Sequence, residues 1–117
     1  MKVLLIAGAR PNFMKIAPIY REALKYEQVE CTIVHTGQHY DRELSHVFFE
    51  ELGIPEPTVN LAVGSGNHGK TTGAMLEGIE RELMQRKPDW MLVYGDTNST
   101  LAGALVAAKL HVPVAHV

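Results

Sequence analysis

The feature that most constrains this chain is a regular alternation of short, nearly continuous apolar runs with stretches of helical periodicity. Lys2 to Ala7 is one such run, closed by Gly8, and Trp90 to Tyr94 is another, leading into Gly95-Asp96. A strand is apolar at successive positions, rather than at every second one, when both its faces are covered, as in a parallel sheet flanked by helices. Val29 to Thr36 reads as a second strand, with Cys31, Ile33 and His35 alternating against Thr32, Val34 and Thr36. Thr58 to Val63 reads as a weaker third and Val112 to Val117 as a fifth.

Helices are predicted between these strands. After Pro11, the residues Phe13, Ile16, Ala17, Tyr20 and Leu24 follow helical spacing, and proline suits a first turn because its missing N–H would be unpaired anyway. Pro18 removes the donor to the Met14 carbonyl, a cost of about 3 kcal/mol in a regular interior, and predicts a kink. A second helix is expected from about Arg42 to Leu52, before Gly53-Ile-Pro55, and a third from about Lys70 to Arg86. In the third, Met75, Ile79 and Leu83 share one stripe, with Glu77/Arg81 and Glu82/Arg86 expected as ion pairs outside. Leu101, Ala104, Leu105 and Ala108 continue helically after Asn98-Ser99-Thr100, with small residues that let a helix approach a sheet closely.

Alternating strands and helices imply βαβ units, and hence an α/β class with a doubly wound, Rossmann-like parallel sheet. The expected order is 3-2-1-4-5. Strands one and four are then neighbours whose following helices lie on opposite faces, and ligands bind at the crevice this opens. Gly8-Ala-Arg10 and Gly95-Asp96 should face each other across it.

A chain of 117 residues supports one core, so residues 1–117 are read as a single domain. The formal charge of −2 offers no field for a polyanion, and nucleic acid is not an expected partner. Cys31 is the only cysteine, which excludes an intrachain disulfide framework and suits a reducing compartment. The apolar run after Met1-Lys2 is too short for a signal core or a membrane span, so a cytoplasmic protein without membrane association is expected. Val112 to Val117 ends the sequence as an apolar strand without a polar exit, which predicts that the domain continues beyond it.

Gly8-Ala-Arg-Pro11 combines a tight turn, a guanidinium and a helix N-terminus, a set that favours an anion such as phosphate. The alternative is that Arg10 is a solvated loop arginine and Pro11 only starts a helix. Lys15, about one turn further on, either reaches the same group or points into solvent. Asp96 ends a buried strand and precedes Thr97-Asn-Ser-Thr100; it either serves a ligand or caps the next helix.

Gly64-Ser-Gly-Asn-His-Gly-Lys-Thr71 matches the phosphate-loop pattern G-x-x-x-x-G-K-[ST] and defines a rival reading, a phosphate-loop nucleotide triphosphatase. Its preceding strand is short and contains Asn60, which fits that context poorly. The six histidines lack metal-ligand spacing, so no metal is expected. His39, in Thr36-Gly-Gln-His39, is placed to hydrogen-bond a ligand. His35 and His116 are expected to be satisfied within or beside the sheet, and His46, His68 and His111 to lie at the surface.

Gly8-Ala-Arg-Pro-Asn-Phe-Met-Lys-Ile-Ala-Pro18, Thr36-Gly-Gln-His39, Gly95-Asp-Thr-Asn-Ser-Thr100 and Pro113-Val-Ala-His-Val117, in this order and spacing, resemble the non-hydrolysing UDP-N-acetylglucosamine 2-epimerases over essentially the whole chain. The resemblance implies the N-terminal part of a two-domain glycosyltransferase-like (GT-B) fold, with the second domain absent from these residues. It implies interconversion of UDP-N-acetylglucosamine and UDP-N-acetylmannosamine, by elimination of UDP to an unsaturated sugar and re-addition with inversion at C2, without a redox cofactor. By motif match Arg10 and Lys15 would contact UDP or the sugar, and Asp96 would be a catalytic or substrate-positioning carboxylate. Gln38 and His39 match part of an effector site for a second UDP-N-acetylglucosamine, and the family implies a homodimer. Asn12 stands where the bacterial pattern often has glutamate, and Gly64 to Lys70 differs near the effector region, which bears on allosteric control. A further alternative is a GT-B nucleotide-sugar-binding module without epimerase activity.

Overall fold

The computed structural model describes residues 1–37 and 46–117. Its strands are β1 (Lys2–Ala7), β2 (Glu30–His35), β3 (Val59–Asn60), β4 (Trp90–Val93) and β5 (Val114–His116). The helices are α1 (Arg10–Ala23), α2 (His46–Leu52), α3 (His68–Arg86) and α4 (Asn98–Lys109). The sheet has the order β3-β2-β1-β4-β5, and each neighbouring pair is parallel. This is the order that the alternation predicts.

β1 is the central strand, and its run is apolar because both faces are used. Leu4 and Ile6 join Val34, Met75, Ile79, Leu83, Ala102 and Val106 on the α3/α4 side. Leu5 and Ala7 join Ile33, Phe13, Ile16, Phe48, Phe49 and Tyr94 on the α1/α2 side. The stripe predicted on α3 is buried as expected, and each such large apolar side chain contributes about 1.5–3 kcal/mol by leaving water. α4 lies close to the sheet because Gly103 has no side chain: a Cβ there would meet Val93 Cγ1 at 3.1 Å.

Several boundaries differ from expectation. β3 covers Val59–Asn60 only, although Leu61, Val63 and Gly64 still donate to the carbonyls of His35, Thr36 and Gly37. The Asn60 side chain accepts from the Ala62 amide at 2.8 Å, and Ala62 takes φ 51°, so a local turn interrupts the extended backbone. α3 begins two residues before Lys70, at His68. α1 continues through Pro18, which is exposed like Met14, so the carbonyl deprived of its donor lies on the solvent side.

Glu82 is the clearest departure. It was expected outside, yet it is 7% exposed and receives a hydrogen bond from Arg86 Nε at 2.9 Å. The position is about 100° round the helix from Leu83, which places its stem at the margin of the packed face. A carboxylate at such a depth needs a paired cation, and Arg86 supplies one. The predicted helical segment 42–45 lies outside the described residues, as do Gln38 and His39.

Candidate functional site

The carboxyl ends of β1 and β4 lie side by side, and the helices that follow them pack on opposite faces of the sheet. This is the crevice expected for a ligand site in a doubly wound sheet. Gly8-Ala9 leads directly into α1, whose first residue is Arg10, and Gly95-Asp96 leads through Thr97 into α4. The structure thus brings the Arg10 and Asp96 turns together.

Arg10 is exposed, and its guanidinium carbon sits 4.9 Å from the centroid of the Phe48 ring. A guanidinium over an aromatic face is attracted by the ring. The α1 N-terminus beneath it adds the positive end of a helix dipole. Lys15 is also exposed on α1 and makes no hydrogen bond or ion pair among the described residues. It lies five residues from Arg10, about 140° round the helix, so the two do not share one stripe.

The two readings of Asp96 are separated by who caps α4. Thr97 is the N-cap: its Oγ1 accepts from the Thr100 amide at 3.4 Å, while Thr100 Oγ1 accepts from the Thr97 amide at 3.3 Å. This reciprocal arrangement leaves Asp96 one position outside the helix, exposed and with no hydrogen bond or ion pair among the described residues. Its carboxylate is therefore unclaimed by capping. Gly95 takes φ 71°, a left-handed conformation that glycine adopts without strain, and this turns the chain sharply between β4 and Asp96.

The turn is held from several sides. His116 Nε2 lies 2.6 Å from the Gly95 carbonyl, and the Gly95 amide donates to the Val117 carbonyl at 3.1 Å. His116 is thus satisfied beside the sheet, as expected. His35 is buried with Nδ1 3.3 Å from both the Gly37 amide and the Ala7 carbonyl. Asn98 Nδ2 donates to His68 Nδ1 at 3.0 Å, which ties the first residues of α4 and α3 together. His68 is exposed, as are His46 and His111.

Asn12, which the sequence reading noted only as a departure from the family pattern, belongs to the site. It is 5% exposed. Its Oδ1 accepts from the amides of Gly8 at 2.9 Å and Ala9 at 3.2 Å, and its Nδ2 faces the Tyr94 carbonyl at 3.5 Å. A signal was present: Ala9 precedes the helix and has no side-chain acceptor, so the orphan amides of the turn need one from inside the first turn.

The phosphate-loop reading loses its setting. Gly64 to Asn67 follows a two-residue edge strand, and Thr71 Oγ1 donates back to the carbonyls of Asn67 and His68. Among the described residues there is no group of three or more His, Cys, Asp or Glu that could hold a metal ion. No helix among them is long and apolar enough to cross a membrane. A cavity of about 240 Å³ lined by Lys2, Glu30, Thr32, Gln85 and Arg86 lies at the amino-terminal ends of β1 and β2, away from these groups.

The chain is similar to known proteins over its whole length. The sequence model of the UDP-N-acetylglucosamine 2-epimerase family matches residues 21–117. A UDP-N-acetylglucosamine 2-epimerase homologue from Methanococcus maripaludis is 55% identical over 117 residues, 100% of this chain and 32% of the relative. The UDP-2,3-diacetamido-2,3-dideoxy-D-glucuronate 2-epimerase of Pseudomonas aeruginosa is 52% identical over 117 residues, again 100% of this chain and 33% of the relative. The crystal structure of the Methanocaldococcus jannaschii UDP-GlcNAc 2-epimerase in complex with UDP-GlcNAc and UDP superposes with a TM-score of 0.90 at 52% identity, covering 100% of this chain and 32% of that one. The chain spans about a third of the length of these relatives.

Proposed function

This chain belongs to the UDP-N-acetylglucosamine 2-epimerase family, and from that premise we propose that it supplies the N-terminal half of an active site that epimerises a UDP-2-acetamido sugar at C2. The substrate pair is UDP-N-acetylglucosamine and UDP-N-acetylmannosamine. Removing the C2 proton and breaking the C1–O bond releases UDP and leaves an unsaturated sugar. Adding UDP back to C1 and a proton to the opposite face of C2 gives the epimer. Protons and electrons balance without a redox cofactor.

Arg10 and Lys15 carry the positive charge that a departing diphosphate requires, and Arg10 does so at a helix N-terminus, where the charge is fixed before the reaction begins. Asp96 holds a sugar hydroxyl or handles a proton. The observation that carries this reading is that Asp96 is not consumed as a helix cap and faces the same switch point as Arg10. The remaining groups belong to a second domain, so the 117 residues alone should turn over little, because a site built from two domains loses its orientation with half its groups missing. Gln38 and His39 are proposed to contact a second, activating UDP-sugar, and the working protein is proposed to be a cytoplasmic homodimer.

The 52% identity to the Pseudomonas aeruginosa relative favours a second substrate reading, a UDP-diacetamido-glucuronate that presents the same leaving group and the same C2 chemistry. Proton NMR in deuterated buffer decides among these. The chain alone, and the same chain extended through a second domain, are incubated with each UDP-sugar. The expected result is C2 epimer with solvent deuterium at C2, formed from UDP-N-acetylglucosamine by the extended protein only. Substantial epimerisation by the chain alone would overturn the two-domain site. Tight UDP-sugar binding with no epimer from either sugar would favour a binding module.

A further inference from the structure

We propose that Asn12 is a positioning residue that ties the turn bearing Arg10 to the turn bearing Asp96, setting the distance between the two halves of the site. The inference rests on the functional reading above for its consequence, though not for the tie itself. Arg10 and Asp96 stand on separate turns, so their separation depends on how the backbones of the two turns are held to each other.

Asn12 lies where that support is needed. Its Oδ1 gathers the Gly8 and Ala9 amides at 2.9 and 3.2 Å, the two peptide groups immediately before Arg10. Its Nδ2 faces the Tyr94 carbonyl at 3.5 Å and comes within 3.8 Å of where a Cβ on Gly95 would stand. The Tyr94 carbonyl accepts a second hydrogen bond from Thr100 Oγ1 at 2.5 Å, and Thr100 in turn holds the Thr97 amide. One chain of contacts therefore runs from the Arg10 turn through Asn12 to both sides of Asp96.

The chemistry of the side chain suits this task. A carboxamide presents an acceptor and a donor in one plane, so it can serve amides on one side and a carbonyl on the other. An ionised carboxylate would keep the two amide bonds but set a negative charge against the Tyr94 carbonyl. An aliphatic residue would leave two buried amides bare. The competing account is that Asn12 only caps the first turn of α1. A local cap would influence residues 8 to 13 and nothing across the sheet.

Amide NMR of the 117-residue chain separates the two accounts without any turnover. In Asn12→Ala, the amide resonances of Gly95 and Asp96 should move together with those of Gly8 and Ala9. In Asn12→Asp, the Gly95 resonance should titrate, returning toward its original position as the introduced carboxyl is protonated and regains a donor. In the extended, epimerase-active protein, Asn12→Ala should lower kcat by about 10–100-fold with KM within about threefold. Asn12→Asp should recover rate toward acid pH where Asn12→Ala does not. Perturbation confined to residues 8–13, or pH-independent behaviour of Asn12→Asp, would overturn the proposal. If Arg10→Ala and Asp96→Asn leave turnover intact, the functional reading fails instead, and the NMR comparison still decides whether the tie exists.

Discussion

Thr36 Oγ1 and Ser99 Oγ lie 2.9 Å apart with both residues almost wholly buried, so the end of β2 is bonded to the first turn of α4 across the intervening strands. Ser99 Oγ also lies 3.7 Å from Met75 Sδ, so its hydroxyl sits between two buried partners. Ser99→Ala should therefore cost about 1–3 kcal/mol, since it strands the Thr36 hydroxyl in the interior. Adding Thr36→Val should recover part of that loss. A double-mutant cycle by urea denaturation checks this, and strict additivity would mean the pair is not coupled.

Asp96 and Thr97 are neighbours with separate duties, and two measurements should divide them. Thr97→Ala removes the α4 cap and should lower stability by about 1 kcal/mol. Asp96→Asn should change stability by less than about 0.5 kcal/mol while abolishing most epimerisation in the extended protein. Urea denaturation run beside the NMR assay tests both. A stability loss in Asp96→Asn equal to that of Thr97→Ala would return Asp96 to a capping role.

Tyr94 Oη is buried without a hydrogen-bond partner among the described residues. Replacing it by phenylalanine removes a polar group that gains nothing from the fold, so Tyr94→Phe should be neutral or mildly stabilising in a thermal melt. A loss of more than about 1 kcal/mol would show that the hydroxyl is bonded in solution.

Alkaline pH should weaken the fold through two groups on the sheet. Burial pushes the Cys31 thiol above its ordinary value. Burial first, and then the proximity of Cys31, push the Tyr94 phenol above its own. Each holds its proton more tightly folded than unfolded, so their contribution is complete below the unfolded pKa values of about 8.5 and 10. It is lost as pH rises from there toward the folded values. Stability measured from pH 7 to 11 should fall above about pH 8.5, and the fall should be shallower in Cys31→Ala and in Tyr94→Phe. Parallel pH curves for all three proteins would exclude this origin.

Lys70→Ala should leave UDP binding unchanged, because Lys70 is exposed beyond the edge strand and the neighbouring Thr71 hydroxyl is turned into its own helix. Calorimetric titration with UDP and with MgATP checks this. MgATP binding that disappears in Lys70→Ala would revive the phosphate-loop reading.

What could be read in the sequence was what depends on continuous burial. The runs at Lys2 to Ala7 and Trp90 to Val93 are apolar at successive positions because two helical layers cover them, and strand order followed from the alternation. The adjacency of the turns that carry Arg10 and Asp96 followed from the same topology. Choices among chemically equivalent groups were not readable. Four residues from Asp96 to Ser99 are all capable caps, and only the backbone at Thr97 decides which one is used. Glu82 looks like a surface residue because its partner Arg86 is four positions on, yet the pair lies at the margin of the core. Asn12 resembled a substitution in a loop motif, whereas its role depends on Tyr94, 82 positions away.

The hold of His116 and Val117 on Gly95 gives the site a history as well as a shape. A ribosome adding roughly 5–20 residues per second delivers the Arg10 turn on the order of 5–20 s before the residues that fasten Asp96. The Arg10 turn is therefore made long before β4 and β5, which pair beside it in the finished sheet. Among the strands described, the one made latest, β5, is the one whose end fastens the Asp96 turn.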